Sequence, residues 1–188
     1  KQVKRAVSVS LGSPQRDKKV IIELCGQSIQ VERIGTSGDA WRARQLFAEL
    51  DGQVDALSVG GVDLYLRFDN REFPLRAALK LVQDVRQTPV VDGRGLKHTL
   101  ERRLFELAAP ALGGVPNFET AFIPMAIDRM GLAQAVTAVS NTVFFGDLMM
   151  GLGIPIPIRG LNRYRKVARA LLPLVSHFPL SMIYPPGS

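Results

Sequence analysis

Apolar and polar positions along the first third of the chain predict strands joined by turns and a helix. Alternation over residues 5–11 indicates a strand. Two apolar runs, 19–25 and 28–34, flank Gly26-Gln27 as the arms of a hairpin would. Residues 40–50 have the periodicity of a helix, with Trp41, Leu46, Phe47 and Leu50 at core-type positions, and 54–59 are predicted to form a buried strand. This order indicates a strand–helix–strand passage.

The alternation of strands and helices continues through most of the remaining chain. A second hairpin is predicted around Asp69-Asn70, with arms at 64–68 and 71–73. The other predicted strands are 88–91, 120–127 and 142–145, and the other predicted helices are 75–86, 96–109, 129–139 and 161–172. Gly and Pro interrupt the apolar residues 148–158, which predicts an irregular buried segment, and they recur in the tail at Pro173, Pro179, Pro185 and Pro186.

Strands that alternate with helices are typical of an α/β protein. We expect a mostly parallel, Rossmann-like sheet with helices on both faces and antiparallel hairpin additions. The predicted divisions are an N-terminal α/β region with two hairpins (1–110), a Rossmann-like strand–helix–strand unit (111–160), and a basic helix with a Pro-rich tail (161–188). The length of 188 residues also suits one continuous domain.

Composition narrows the class of protein. Hydrophobic residues make up 46% of the chain and charged residues 22%, enough to build a core without metals or disulfides. The single cysteine, Cys25, lies in an apolar run and is expected to be a buried thiol. Two histidines and one cysteine without ligand spacing predict no metal site. The absence of a long apolar window and of a signal peptide predicts a cytoplasmic protein without a membrane span.

The net charge of +7 is concentrated at the two ends of the chain, in residues 1–19 and 159–188. Basic ends attract phosphates, nucleic acid or anionic lipid, and the predicted helix 161–172 is the segment that would bind them. Solvated surface charge is the alternative explanation. Aromatic residues are not interleaved with the basic ones, so nucleic acid is not the favoured partner.

One segment resembles a dinucleotide-binding fingerprint. Residues 126–131 have the spacing of G-x-G-x-x-G, with Ala126 and Asp128 at the first two glycine positions and Gly131 at the third. Asp147 follows the next predicted strand about 20 residues on, where a ribose-binding carboxylate is expected. The alternative is ordinary strand-to-helix capping, with Asp128 as the N-cap.

Two further strand ends combine glycine with acidic residues. Gly60 and Gly61, followed by Asp63, suit either close approach of a ligand or a tight turn. Residues 92–98 bring an acid, bases and an imidazole to one junction, where Lys97 and Asp92 would act as a proton-transfer pair if they face one cleft. Capping together with surface charge is the alternative explanation of these residues.

Several segments of the chain resemble a family of bacterial proteins labelled quinate 5-dehydrogenase. They include RAVSVSLGS at 5–13, ERIGT at 32–36, GGVDLY at 60–65, TPVVDG at 88–93 and GIPIPIR at 153–159. The similarity covers nearly the whole chain. The family's sequences continue past 184–187, which implies that the native chain extends beyond Ser188.

The resemblance implies a dehydrogenase that uses NAD or NADP to oxidise a small hydroxy acid of the quinate or shikimate type. Lys97 would donate or accept the proton, with Asp92 as its partner. The implied substrate-binding residues are Ser8, Ser10, Ser13, Gly60, Gly61 and Asp63, and the implied cofactor-binding residues are Ala126, Asp128, Gly131 and Asp147.

A second hypothesis follows from the absence of any complete catalytic motif. The chain would then be a non-catalytic α/β module that binds a small anionic ligand or a protein partner. Either hypothesis is compatible with a homo-oligomer.

Overall fold

The computed structural model describes residues 3–68 and 71–179, which form two compact units. Unit 1 comprises described residues 3–64, 74–93 and 177–179, and unit 2 comprises 65–68, 71–73 and 94–176. The elements in chain order are β1 (Lys4–Ser10), β2 (Lys19–Leu24), β3 (Gln27–Gly35), α1 (Ala40–Leu50), β4 (Ala56–Gly60), β5 (Tyr65–Phe68), β6 (Arg71–Pro74), α2 (Arg76–Val82), β7 (Val90–Val91), α3 (Arg94–Thr99), α4 (Leu104–Leu112), β8 (Phe118–Ile123), α5 (Met130–Ala138), β9 (Ser140–Phe145), α6 (Asp147–Leu152), β10 (Ile158–Arg159) and α7 (Leu161–Val175).

Unit 1 contains a five-stranded sheet in the order β2-β3-β1-β4-β7. The strands β3, β1, β4 and β7 are parallel, and β2 pairs antiparallel with β3. The predicted α/β class, with a mostly parallel sheet and an antiparallel hairpin, is therefore confirmed at this level.

The core of unit 1 is built from β1, β4 and α1. Val7, Val9 and Leu57 are buried, and α1 contributes a buried stripe of four residues, Ala43, Leu46, Phe47 and Leu50. These four are spaced i, i+3, i+4 and i+7, which places them on one face of a helix. The prediction that Trp41 also lies in the core is wrong, because Ala43 completes the stripe and the Trp41 side chain is 68% exposed.

The hairpin between β2 and β3 turns at Cys25 and Gly26, one residue earlier than predicted. Leu24 pairs with Gln27, and the two turn residues have φ angles of 51° and 72°. Positive φ at both central residues matches the twist of a two-residue hairpin. The expected burial of the Cys25 thiol is also wrong, because Cys25 is exposed at this turn and β2 is an exposed edge strand.

Unit 2 contains a three-stranded sheet in the order β10-β9-β8, with β8 and β9 parallel and α5 between them in sequence. The predicted strand 120–127 is too long at its end, since β8 stops at Ile123, just before Pro124. In this order β8 is an edge strand, and Pro124 has no N–H to donate to continued pairing with β9. At the end of β9, the Phe145 ring stacks on Tyr164 of α7, with ring centroids 4.4 Å apart.

Two other stretches differ from the sequence prediction. Residues 148–158 are neither irregular throughout nor mostly buried, because α6 occupies Asp147–Leu152, β10 begins at Ile158 and residues 150–157 are exposed. The single helix predicted over 96–109 is divided into α3 and α4 by a 3-10 turn at Glu101–Arg103. The predicted turn residues Asp69-Asn70, together with Pro185 and Pro186, lie outside the described residues.

The carboxylate of Asp51 fastens the end of α1 to the segment before β7. It accepts backbone N–H bonds from Arg86, Gln87 and Thr88, with shortest distances of 2.7, 2.9 and 2.7 Å. These bonds stabilise the ionised form, and the Thr88 N–H contributes most to lowering the pKa of Asp51 to about 2.

We expect Asp51→Asn to lower the midpoint of urea unfolding at neutral pH. Because the folded pKa is depressed, the stabilisation is complete above the unfolded value of 3.8 and is lost as the pH falls through about 2. The difference between wild type and Asp51→Asn should therefore shrink over that window. Glu49→Gln, in an exposed pair with Arg42, is the control and should change the midpoint less. A difference for Asp51→Asn that is constant with pH would contradict this account.

Candidate functional site

The carboxyl ends of the parallel strands of unit 1 meet at one edge of the sheet. Ser10 at the end of β1 lies between Gly35 at the end of β3 and Gly60 at the end of β4. In the sheet, β1 separates β3 from β4, so the chain crosses from one side of β1 to the other between those strands. Such a topological switch point is where ligands bind in open α/β sheets.

The side chain of Arg33 lies at this edge and is fixed by three acceptors. Its Nη2 donates to Ser10 Oγ at 3.0 Å, and its Nη1 donates to the Ser13 carbonyl at 3.0 Å and to Asp17 Oδ1 at 2.6 Å. Ser10 is buried, and its Oγ also accepts the Gly12 N–H at 3.1 Å. Since a guanidinium has five N–H donors, Arg33 retains donors beyond these bonds.

A second guanidinium approaches the same place. A Cβ atom added at Gly12 would lie 2.8 Å from Arg33 Nη2 and 2.9 Å from Arg16 Nη2. Within the described part of the chain no carboxylate pairs with Arg16, which is exposed, and Asp17 offsets the charge of Arg33. The edge is therefore net positive. We call this set of residues the β1 edge: Ser10, Gly12, Ser13, Arg16 and Arg33.

The glycines predicted to bind substrate have local structural roles. A Cβ atom at Gly60 would lie 2.8 Å from both Ser8 Oγ and Ser10 Cβ, so the pairing of β4 with β1 needs glycine there. Gly61 has a φ of 75°, which glycine adopts without strain, and nothing lies within 4 Å of its Cβ position. Gly61 directly follows the last residue of β4, and Ser8 lies two residues before the end of β1.

The other predicted polar residues of unit 1 also stabilise loops. Ser13 Oγ accepts the Gln15 N–H at 3.2 Å and caps a short 3-10 turn. Asp63 is buried, and Asp92 Oδ2 accepts the Leu64 N–H at 2.9 Å. Asp92 therefore holds the loop after β4 against the end of β7.

In unit 2, the backbone of the fingerprint-like loop donates hydrogen bonds to the side chain of Asp147. Asp147 Oδ1 accepts the N–H groups of Ala126 at 3.0 Å and Ile127 at 2.9 Å, together with the Tyr164 hydroxyl at 3.0 Å. Burial raises the pKa of Asp147, and these three hydrogen bonds oppose that rise. Burial and the Asp147 charge likewise raise the pKa of Tyr164. The carboxylate thus lies where the sequence predicts it, and it binds loop amides.

Lys97 and Asp128 form an ion pair within unit 2. Lys97 Nζ lies 2.9 Å from Asp128 Oδ2, and both side chains are about four-fifths buried, with exposures of 20% and 23%. A Cβ atom at Gly131 would clash with the Lys97 carbonyl oxygen, so glycine permits the close approach of α3 and α5. Lys97 belongs to unit 2 and its predicted partner Asp92 to unit 1.

His98 lies beside these residues in a positive environment. Burial lowers its pKa most, and the positive charges of Arg67, Arg94 and Lys97 lower it further. Arg94 also lies over the Tyr65 ring, with its Cζ 4.6 Å from the ring centroid. These effects favour the neutral form of the His98 imidazole, and the Glu72 charge opposes them.

Sequence reasoning missed Arg33 and Arg16, the two cations of the β1 edge, and it missed Tyr164. Arg33 reaches Ser10 only because β3 pairs with β1 in parallel, with Ser8 opposite Arg33. The register of a parallel pair was not assigned from the sequence. A usable signal was the Gly12–Arg16 segment, which combines glycine, serine and a cation directly after a strand.

Residues 3–68 and 71–179 contain no candidate metal site and no candidate membrane-spanning helix. Within those ranges no three His, Cys, Asp or Glu side chains are grouped as metal ligands would be. No helix there is long and apolar enough to cross a membrane.

We expect Tyr164→Phe to destabilise the protein by about 1.5–3 kcal/mol, because it removes a hydrogen bond to a buried charged group. Urea unfolding measures the change. Asp147→Asn and the double variant complete a double-mutant cycle, in which the coupling energy isolates the pair. Additive effects of the two substitutions would contradict the hydrogen bond as the source of the loss.

Two protein families match the chain. A family described as Domain of unknown function (DUF8753) matches residues 5–92, and one described as Domain of unknown function (DUF8754) matches residues 95–188. The boundary between the matches falls where unit 1 gives way to unit 2, at Gly93 and Arg94. No curated protein matches the chain. Because the match to residues 95–188 covers half of the 188-residue chain, the chain belongs to the family described as Domain of unknown function (DUF8754).

Proposed function

We propose that the β1 edge binds a small anionic ligand, with its carboxylate or phosphate held between Arg33 and Arg16. One observation carries this proposal: two guanidinium groups approach Gly12 at the carboxyl end of β1. Guanidinium groups bind carboxylates and phosphates through paired N–H bonds. The position at a topological switch point supports the same conclusion.

The β1 edge is organised before a ligand arrives. The bonds from Arg33 to Ser10, Ser13 and Asp17 fix its side chain, so little conformational entropy is lost on binding. Ser13 Oγ accepts a bond from the protein, which leaves its O–H able to donate to a ligand hydroxyl or carboxylate. These donors suit a small hydroxy acid.

NAD(P)-linked oxidation of such an acid, with Lys97 and Asp92 as the proton-transfer pair, stays a prediction. This prediction also requires a nicotinamide cofactor bound along Ala126, Asp128 and Gly131, in a Rossmann-like unit. The Ala126 N–H donates to Asp147, and Asp128 pairs with Lys97. A pyrophosphate would have to replace the first bond and would meet the negative charge of Asp128. Anion binding in unit 1 requires neither change.

We expect Gly12→Ala to weaken binding of quinate, shikimate or phosphate. The added Cβ displaces the Arg33 and Arg16 guanidinium groups, and because Arg33 bonds to Ser10, Ser13 and Asp17, a loss of stability accompanies the loss of affinity. Isothermal titration calorimetry measures affinity, and urea unfolding measures stability. Equal affinity for wild type and Gly12→Ala would contradict the proposed site.

Arg16→Gln tests the second cation separately. We expect about tenfold weaker binding, or about 1.4 kcal/mol, because one charged hydrogen-bond donor is lost. Arg42→Gln is the matched control, since Arg42 lies on α1 in an exposed pair with Glu49. A loss as large for Arg42→Gln would indicate only a general effect of net charge.

Titration with NAD⁺, NADP⁺, NADH and NADPH tests the dehydrogenase prediction. A cofactor that binds the native state raises the melting temperature in a saturable way. If oxidation of quinate or shikimate is then observed, Lys97→Ala should abolish turnover while anion binding at the β1 edge persists. If none of the four nucleotides shifts the melting temperature, the prediction of cofactor binding is contradicted. Unchanged turnover in Lys97→Ala would contradict the catalytic role of Lys97.

A further inference from the structure

The edge strand β2 exposes apolar side chains on both faces of the sheet. All six of its residues are exposed, and the Ile21 side chain is the most exposed of its apolar residues, at 65%. Successive strand residues point to opposite faces, so Ile21 lies on one face and Val20, Ile22 and Leu24 lie on the other. An exposed, apolar edge strand is a template for pairing with another strand.

The hydrogen bonds between β2 and β3 determine which backbone groups face outward. The Arg33 N–H donates to the Lys18 carbonyl at 2.9 Å, and the register places these two residues opposite each other. Hydrogen-bonded and non-hydrogen-bonded pairs alternate along an antiparallel ladder. It follows that Lys19, Ile21 and Glu23 direct their N–H and C=O groups away from β3, toward the open edge.

We propose that two copies of this chain associate through antiparallel pairing of their β2 strands, with the twofold axis at Ile21. Ile21 then lies opposite Ile21 of the second copy, and Val20 lies opposite Ile22. Lys19 lies opposite Glu23 in both directions across the axis. The sheet of unit 1 continues from one copy into the other.

This register satisfies hydrogen bonding and charge together. Lys19, Ile21 and Glu23, whose backbone groups face outward, become the hydrogen-bonded pairs of the new ladder. Opposite charges that face each other across an antiparallel pair stabilise it. A register shifted by one residue would place Glu23 opposite Val20 or, in the other direction, opposite Lys18. Either shift would misalign the outward backbone groups, so hydrogen bonding excludes both.

A second copy suits this edge because the strand is complementary to itself. The order basic, apolar, apolar, apolar, acidic over 19–23 becomes its own complement when the strand is reversed. Within one chain Lys19 Nζ lies 3.7 Å from Glu32 and its side chain is 57% exposed, so it can reorient toward a second copy. A closed twofold contact of this kind is the commonest form of homo-oligomer. The inference does not depend on anion binding at the β1 edge.

Light scattering after size-exclusion chromatography tests the pairing. We expect the wild-type chain to have twice the monomer mass of 20.6 kDa at micromolar concentrations. Ile21→Lys should be monomeric, and Glu23→Lys, which places like charges opposite each other, should raise the dissociation constant at least about tenfold. Lys19→Glu/Glu23→Lys should restore the dimer because it exchanges the charges. A monomeric wild type, or a dimer that Ile21→Lys and Glu23→Lys leave unchanged, would overturn the proposal.

Cysteine cross-linking tests the register. In a Cys25→Ser background, Ile21→Cys places two thiols on directly opposed residues, about 5.5 Å apart between Cα atoms, which is within disulfide range. Oxidation should therefore give a covalent dimer. Val20→Cys is the control, because residue 20 lies opposite residue 22 and its two thiols are too far apart. Equal cross-linking of both variants, or none of Ile21→Cys, would refute a twofold axis at Ile21.

Discussion

The Arg33 guanidinium ties β3 to the loop that follows β1, and the account of unit 1 depends on this contact. Its three acceptors belong to Ser10, Ser13 and Asp17, which are spread along the chain segment leaving β1. A single side chain thereby orders the loop at the carboxyl end of the central strand. The same bonds leave guanidinium donors directed toward Gly12, where Arg16 adds a second positive charge.

Unit 2 uses a buried carboxylate for a comparable purpose. Asp147 binds the amides of Ala126 and Ile127, which shapes the loop between β8 and α5. Leaving a carboxylate in a buried site is costly unless several donors compensate it, and the Tyr164 hydroxyl is one of them. Ion pairing of Lys97 with Asp128 fastens the same loop to α3. The polar groups of this loop therefore bond to other groups of the protein. At the β1 edge, by contrast, Arg33 retains N–H donors that its bonds to Ser10, Ser13 and Asp17 do not use.

The elements that the sequence predicted are those whose periodicity of apolar and polar residues is visible within a short segment of the chain. The buried stripe of α1 and the arms of the first hairpin are visible as periodicity in the sequence. The errors arise where burial depends on the rest of the chain: the apolar run of β2 predicts a buried Cys25, yet no segment within residues 3–68 and 71–179 covers this edge strand. The family resemblance implied that Ser10 and Ser13 bind substrate, and the structure places Ser10 at the end of β1 and Ser13 three residues beyond it. Arg33 was missed because its contact with Ser10 depends on the parallel register of β1 and β3.

The central claim is that unit 1 binds a small anion between Arg33 and Arg16, and nuclear magnetic resonance tests it most directly. Titration of quinate or phosphate into the isotopically labelled chain should shift the backbone amides of Gly12 and Ser13 and the guanidinium signals of Arg33 and Arg16 saturably. The amides of 126–131 should stay unchanged. Changes centred on 126–131, or no saturable change at Gly12 and Arg33, would contradict the assignment of the anion site to the β1 edge.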